Sequence, residues 1–200
     1  MRREKLERIF PAFQEIQDET LRVKSEEAML AAMEAGGWNE QTIKLCPATL
    51  NWENCDVSWT EHVSDVTSMC LMEFDGLEKY YKRHGVSFSR ELVAAGALLH
   101  DIGKAKMRTT DANGVDHFKG HGPEGKKSRK RFIRRLKFDN DTIAQVTRLI
   151  YWHDYRPAPE EKAVRRAIYK VGEDLFPLFL KVQRADNLAQ SMYLREEKLE

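Results

Sequence analysis

Histidine and aspartate, two residue types that bind metal ions, stand next to each other at His100 and Asp101. An apolar run ending at Leu99 precedes the pair, and Gly103 and Lys104 follow it. This pattern predicts an apolar helix that Gly103 terminates, with the pair at its buried end. An ionised carboxylate in such a place is costly unless a positive charge compensates it. The pair therefore predicts a nearby cation, for which a divalent metal ion is suited.

Further residues of the same two types fall on positions that helical periodicity turns inward. His62 lies in the first turn of a helix predicted for residues 61–81, and His153 lies one turn after an apolar residue. Asp186 shares a predicted helix face with apolar residues. Singly, each has an ordinary explanation, such as a hydrogen-bonded core histidine or an aspartate paired with Arg148. One or two divalent ions would satisfy the whole candidate ligand set at once, namely His62, His100, Asp101, His121, His153 and Asp186.

The ligand types limit the kind of metal site. Imidazole and carboxylate ligands without sulfur suit Mn, Fe, Co, Ni, Zn or Mg, so we expect one or two divalent ions of this group. Such a site usually leaves coordination positions open for water. The three cysteines, Cys46, Cys55 and Cys70, have neither the spacing of a thiolate zinc site nor a disulfide pattern, and we predict that they pack in the interior.

The composition of the chain excludes several classes of protein. Its 200 residues, of which 42% are hydrophobic, are enough for one globular domain or one domain with a terminal extension. The net charge of +1 excludes a generally basic nucleic-acid coat. No window approaches the roughly 20 apolar residues of a membrane span, and the charged amino terminus does not resemble a signal peptide. We therefore expect a cytoplasmic protein without membrane contact.

Helical patterns and caps run through most of the chain. Ser25 is the predicted N-cap of a helix that ends at Gly36, and Thr60 is the predicted cap of the helix bearing His62. A further helix is predicted to begin near Ser87 or Ser89. An Asn-Gly turn at Gly114 predicts two short extended pieces. The predicted fold is therefore all-α, a helical bundle with a short hairpin or loop between its central helix and a basic helix.

The basic helix is predicted from an unusual concentration of charge. Residues 119–137 contain nine Lys or Arg residues against one acidic residue, with apolar residues spaced for one helix face. Such a segment is either a solvated helix face or a surface that contacts phosphate or RNA. The sequence leaves both interpretations open.

The candidate ligands, read in chain order, resemble the HD superfamily of metal-dependent phosphohydrolases. The resemblance covers about residues 60–190, in the order His62, His100-Asp101, His121, His153 and Asp186 within an Arg-Ala-Asp context. Residues 98–156 are similar to the HD domain attached to some bacterial tRNA nucleotidyltransferases. We therefore expect a helical N-terminal extension over residues 1–55, packed on the core, and an HD phosphohydrolase domain over residues 56–200.

The resemblance implies a role for each candidate ligand. A primary metal site would consist of His62, His100, Asp101 and Asp186. His121 and His153 would bind a second ion that Asp101 bridges to the first, or would contact the substrate phosphate if one ion binds. Asp101 thereby becomes a catalytic residue as well as a ligand.

The chemistry expected from such a centre is attack of a metal-activated water on phosphorus. We expect Lys104, Lys126 and Arg129 to hold the substrate phosphate, with Lys104 taking part in catalysis. Lys104 stands where the nucleoside monophosphate phosphatases of the superfamily tend to carry a glutamate, which argues against their mechanism.

The predicted function is therefore hydrolysis of a phosphoester, in a nucleotide, a cyclic phosphodiester or a dinucleoside polyphosphate. An alternative is a regulatory HD module that binds RNA or a nucleotide without turnover, with RNA bound through residues 126–137. A third, weaker alternative is an oxygenase with a di-iron centre, for which more ligands would be expected. The sequence does not indicate an oligomeric state.

Overall fold

The computed structural model describes residues 3–48, 57–85, 89–114, 116–120 and 140–189, and these are predominantly helical. The helices are α1 Arg3–Ile9, α2 Glu19–Ala35, α3 Trp59–Arg83, α4 Arg90–Leu99, α5 Lys104–Met107, α6 Asn140–Trp152, α7 Glu161–Val171 and α8 Phe176–Leu188. Short 3-10 helices occupy Pro11–Glu15 and Ile43–Leu45. The predicted all-α fold is confirmed.

Helix α3 is central to the packing, because α4 and α8 both lie against it. It begins with a capping box in which the Ser58 hydroxyl accepts a hydrogen bond from the Glu61 N–H and the Glu61 carboxylate accepts one from the Ser58 N–H. The predicted cap, Thr60, is wrong by two residues because the partner glutamate stands three residues after Ser58. The capping box fixes the first turn of α3, which carries His62.

Helix α4 is the most apolar element near the candidate ligands, and its residues from Leu92 to Leu99 are buried. Of the two predicted start positions, Ser89 is the cap, since its side chain accepts a hydrogen bond from the Leu92 N–H at 3.0 Å, and Ser87 lies outside the described residues. The predicted terminator, Gly103, is wrong. The helix ends at Leu99, and Gly103 has a right-handed φ of −63° at the start of α5. His100 and Asp101 therefore lie in the turn between two helices.

Helix α2 begins earlier than predicted and ends where predicted. Its cap is Asp18, whose carboxylate accepts a hydrogen bond from the Leu21 N–H at 2.7 Å, so the predicted cap at Ser25 is wrong. At the other end, Gly37 takes a φ of +72° and Trp38 donates its backbone N–H to Met33. This arrangement is a Schellman motif, which places Trp38 at the foot of the helix.

The predicted extended pieces form a small antiparallel hairpin. Strand β1 is Thr109–Thr110 and strand β2 is Asp116–His117, with Thr109 opposite His117. Gly114 has a φ of +81°, as the Asn-Gly turn requires. The predicted basic helix after the hairpin lies outside the described residues.

One hydrophobic core joins the N-terminal and C-terminal elements. It includes Leu6 of α1, Met29 of α2, Val66 of α3, Leu98 of α4 and Phe179 of α8. The first two helices therefore pack on the rest of the chain, while the boundary near residue 55 remains a prediction. Among the described helices, none combines the length and the apolar character needed to cross a bilayer.

Cys46 and Cys70 should resist modification in the folded protein. Burial raises the pKa of each thiol to about 12, so almost no thiolate is present at about pH 8. Peptide mass spectrometry after iodoacetamide treatment should find both unmodified in the native protein and both modified after unfolding. Rapid labelling of either residue in the native protein would contradict its interior position.

Candidate metal centre

Three histidines with the same hydrogen-bonding arrangement meet between α3, α4, α6 and α8. In each of them Nδ1 faces a backbone carbonyl oxygen: His62 with Ala189 at 3.3 Å, His100 with Ala97 at 2.5 Å and His153 with Ile150 at 2.6 Å. A carbonyl oxygen can only accept, so each contact assigns the proton to Nδ1. The Nε2 atoms are then left with lone pairs, which is the form of histidine that binds metals.

The Nε2 atoms of two of these histidines lie close to carboxylate oxygens. The Nε2 atoms of His62 and His100 are buried, and neither is aligned for a hydrogen bond with any described residue. His62 Nε2 lies 3.1 Å from Asp186 Oδ1 and 3.7 Å from Asp101 Oδ2. His100 Nε2 lies 3.5 Å from Asp101 Oδ2 and 3.8 Å from Asp186 Oδ1. Nitrogen lone pairs and ionised carboxylate oxygens at these distances repel one another unless a cation lies between them.

The separations fit one ion. Ligand atoms of His62, His100 and Asp186 all lie within 4.8 Å of one another, and all three residues are buried. Two ligands that each lie about 2.1 Å from an ion are separated by about 3 Å when they subtend a right angle. Small side-chain adjustments would therefore complete a coordination sphere around a single divalent ion.

Asp101 connects this group to His153. Its Oδ2 faces His62 and His100, while its Oδ1 lies 3.2 Å from His153 Nε2. The rings of His100 and His153 are 5.4 Å apart between centroids. The carboxylate of Asp101 thus lies between two groups of ligand atoms, as expected for a residue that could bridge two ions.

Burial and charge together set the ionisation of the centre. Burial lowers the pKa of His100 to about 4, although the charges of Asp101 and Asp186 oppose this shift. Burial alone would raise the pKa of Asp186, but its interactions with the imidazoles of His62 and His100 outweigh burial and hold that pKa below its usual range. A neutral His100 beside an ionised Asp186 is the state that binds a metal ion without first losing a proton.

Lys104 is buried against the carboxylate of Asp101. Its ammonium group donates to Asp101 Oδ2 at 2.5 Å and to the carbonyl oxygen of Ala48 at 2.6 Å. Burial lowers the pKa of Lys104, but the charge and hydrogen bond of Asp101 outweigh burial, and the pKa lies above its usual value. Two of its three N–H groups are thereby used. The contact with substrate phosphate remains a prediction.

Sequence reasoning missed Arg156. Its Nη2 donates to Asp186 Oδ2 at 2.7 Å and its Nη1 donates to the backbone carbonyl of His153, while 40% of its side chain is exposed. The alternative partner considered for Asp186, Arg148, is wrong, because Arg148 pairs with Asp174 at 2.7 Å. Arg156 lies in a loop without periodicity, so only its position three residues after His153 could have indicated it.

Sequence reasoning also missed Gln183. Its Nε2 donates to the backbone carbonyl of His153 at 3.1 Å. Gln183 is one helical turn before Asp186 and therefore shares its face of α8, a signal that periodicity could have supplied. The remaining predicted site residues, His121, Lys126 and Arg129, lie outside the described residues.

A helical domain whose histidines and aspartates from several elements converge on a buried centre is typical of metal-dependent enzymes. The HD domain model matches residues 60–191, about two thirds of the chain, and the chain belongs to this family. HD domains bind divalent metals, and the group of His62, His100 and Asp186 could hold such an ion.

Two characterised proteins are similar to this chain. Dihydroneopterin 2',3'-cyclic phosphate phosphodiesterase of Methanocaldococcus jannaschii is 32% identical over 118 residues, which are 56% of this chain and 46% of the relative. The CC-adding tRNA nucleotidyltransferase of Thermus thermophilus is 33% identical over 101 residues, which are 50% of this chain and 23% of the relative. The chain thus spans less than half the length of either relative. No solved structure matches it.

The low pKa of His100 should make the metal-free protein less stable in acid. As the pH falls from about 6.5 towards 4, the unfolded state binds a proton that the folded state refuses, so the free energy of unfolding should fall by up to about 1.4 kcal/mol per pH unit. Asp186 contributes to the pH dependence of the free energy of unfolding only at lower pH, since its pKa lies below the ordinary value of 3.8. Urea unfolding in a chelator should show this slope in the wild type.

Two variants test whether His100 causes the slope. His100→Gln should remove that part of the pH dependence, while His84→Gln, at the exposed end of α3, should keep it. Equal slopes in wild type and His100→Gln would contradict the assignment.

Proposed function

We propose that this chain hydrolyses a phosphoester at the centre formed by His62, His100, Asp101, His153 and Asp186. The observation that carries the proposal is the pair of buried Nε2 atoms that lie close to carboxylate oxygens, since this arrangement costs free energy that a cation between them would offset. The family and the archaeal phosphodiesterase relative support a metal-dependent phosphohydrolase in general.

The ligands divide into two groups. His62, His100 and Asp186 would hold a first ion together with Asp101. His153 and Asp101 Oδ1 begin a second group, to which the predicted ligand His121 would be added. A divalent ion held there would supply Lewis acidity and an activated water molecule.

The cations around the centre neutralise the substrate. Arg156 uses only two of the five N–H groups of a guanidinium for Asp186 and His153, and its partial exposure lets the others reach a phosphate. Lys104 stabilises the charge of Asp101 and has one further N–H for the same phosphate. Lys126 and Arg129 remain predicted phosphate contacts, and RNA binding through residues 126–137 and a cytoplasmic location also remain predictions.

Among phosphoesters, we propose a cyclic phosphodiester as the substrate. The archaeal relative bears the name of an enzyme that acts on a 2',3'-cyclic phosphate. Lys104, in place of the glutamate expected in the related monophosphatases, agrees with a diester better than with a nucleoside monophosphate. A cyclic phosphodiester has a single phosphate group, unlike a dinucleoside polyphosphate, so one cation-rich face suffices to bind it.

The purified protein should bind divalent metal and hydrolyse a phosphoester. Metal analysis should be followed by assays with cyclic nucleotides, phosphomonoesters and dinucleotides in the presence of Mn²⁺, Fe²⁺, Co²⁺, Ni²⁺ or Mg²⁺. His153→Gln should keep the first ion, lose the second and lose turnover by more than about 100-fold, beyond the usual effect of residues that only orient ligands. His84→Gln is the matched control and should keep activity.

Two results would contradict the proposal. One is a wild type without divalent metal, and the other is unchanged metal binding after His100 and Asp101 are replaced by alanine. Tight metal binding without turnover, together with RNA binding of steep salt dependence, would instead favour the regulatory module.

Lys104→Met should bind Mn²⁺ more tightly, by about tenfold or more, and should turn over substrate more slowly. The reason is that the ammonium group and the ion share Asp101 Oδ2, so their charges repel at short range. Isothermal titration measures the affinity. Lys82→Met, which removes an exposed lysine paired with Glu78, is the matched control. Weaker Mn²⁺ binding by Lys104→Met would show that Lys104 mainly orients the carboxylate.

A further inference from the structure

The N-terminal segment, residues 3–48, supplies one of the two hydrogen-bond partners that Lys104 has among the described residues. This segment precedes the region that matches the family, yet the carbonyl oxygen of Ala48 accepts a hydrogen bond from the Lys104 ammonium group at 2.6 Å. Ala48 is itself fixed, because its N–H donates to Val57 at 3.1 Å and Trp59 donates back to Cys46 at 2.7 Å. These bonds tie the end of the segment to the start of α3.

The same segment holds the backbone beside Lys104. The indole N–H of Trp38 donates to the carbonyl oxygen of Ala105 at 2.6 Å, and the bond is buried. Helix α5 is only four residues long, so its carbonyl groups need partners from outside the helix. Trp38 also stacks under the guanidinium of Arg108, 4.6 Å from the ring centroid. Trp38 thus contacts both the backbone of α5 and the residue that follows the helix.

The approach of the segment to α5 is close enough to require glycine. A Cβ atom at Gly36 would lie 1.7 Å from the carbonyl oxygen of Ala105, which is a backbone atom and cannot rotate away. The Schellman motif at Gly37 then directs Trp38 towards the same carbonyl. The position of α5, and of Lys104 at its first residue, is therefore set by the end of α2.

We propose that Trp38 is a positioning residue of the metal centre, which acts through Ala105 to hold the Lys104 ammonium group against Asp101. The N-terminal segment then forms a wall of the centre rather than an appended unit. This inference rests on the proposed function for its effect on turnover, but its effect on metal binding stands apart from any substrate.

A double-mutant cycle tests the proposal with Trp38→Phe and Lys104→Met. Mn²⁺ affinity is measured by titration, and kcat and KM are measured with bis(para-nitrophenyl) phosphate as the diester probe. Trp38→Phe removes the indole N–H and keeps an aromatic ring. In the wild-type background it should raise Mn²⁺ affinity and lower kcat, each by about fivefold or more, as expected when Lys104 is held less firmly against Asp101. When Lys104 is already methionine, each change should be less than about twofold.

A matched control separates positioning from loss of stability. Trp59→Phe removes another buried indole, whose N–H has no hydrogen-bond partner among the described residues. It should lower the melting temperature, as Trp38→Phe does, without any change that depends on Lys104. Equal effects of Trp38→Phe in both Lys104 backgrounds would overturn the proposal.

The outcomes distinguish the two proposals. Coupling in Mn²⁺ affinity without hydrolysis of any phosphoester would overturn the proposed function and support the role of Trp38. Hydrolysis of a phosphoester, with additive effects of the two substitutions on Mn²⁺ affinity, would support the proposed function and overturn the role of Trp38. If the wild type binds no Mn²⁺, the proposed function fails, and coupling between the two substitutions in the free energy of unfolding decides the role of Trp38.

Discussion

The structure depends on the enclosure of two carboxylates and three imidazoles away from water. Asp101 and Asp186 lie close to the unprotonated Nε2 atoms of the imidazoles. The proton of each ring is held on its other nitrogen, Nδ1, by a backbone carbonyl oxygen. In the protein interior this repulsion is poorly screened, so the arrangement costs free energy unless a cation enters it. Lys104 and Arg156 meet part of the need from the edges. The group of His62, His100 and Asp186 could meet the rest of that need by holding a divalent ion.

The helices are arranged so that apolar packing keeps the carboxylates and imidazoles away from water. Apolar faces of α3 and α8 bury His62 and Asp186, and the apolar helix α4 delivers the His-Asp pair into the turn that follows it. Because one core joins these elements, a ligand cannot turn towards solvent without disturbing its neighbours. Preorganised ligands of this kind would bind an ion with little rearrangement.

Local patterns in the sequence predicted the inward positions of His153 and Asp186, because helical periodicity alone determines which face is apolar. The hairpin was predicted by its Asn-Gly turn, which is also a local signal in the sequence. Gly103 and Ser25 were misjudged, since residues that often end or begin helices do so only when the surrounding backbone allows it. Arg156 could not be assigned, because its contacts with Asp186 and His153 join loop and helix across thirty residues of sequence, and no local rule describes them.

Lys104 shows where family membership stops describing this centre. The family match begins at residue 60, so it contains Lys104 and Asp101 but neither Ala48 nor Trp38. A buried ammonium group needs every one of its close partners, because each missing hydrogen bond leaves a charge poorly solvated. The carbonyl of Ala48 is one such partner, and the bond from Trp38 to Ala105 restrains the backbone that carries the lysine. The charge next to the ligands is therefore controlled partly by residues that the family pattern does not include. Relatives with a different N-terminal segment could keep every metal ligand and still present a different charge to the ion.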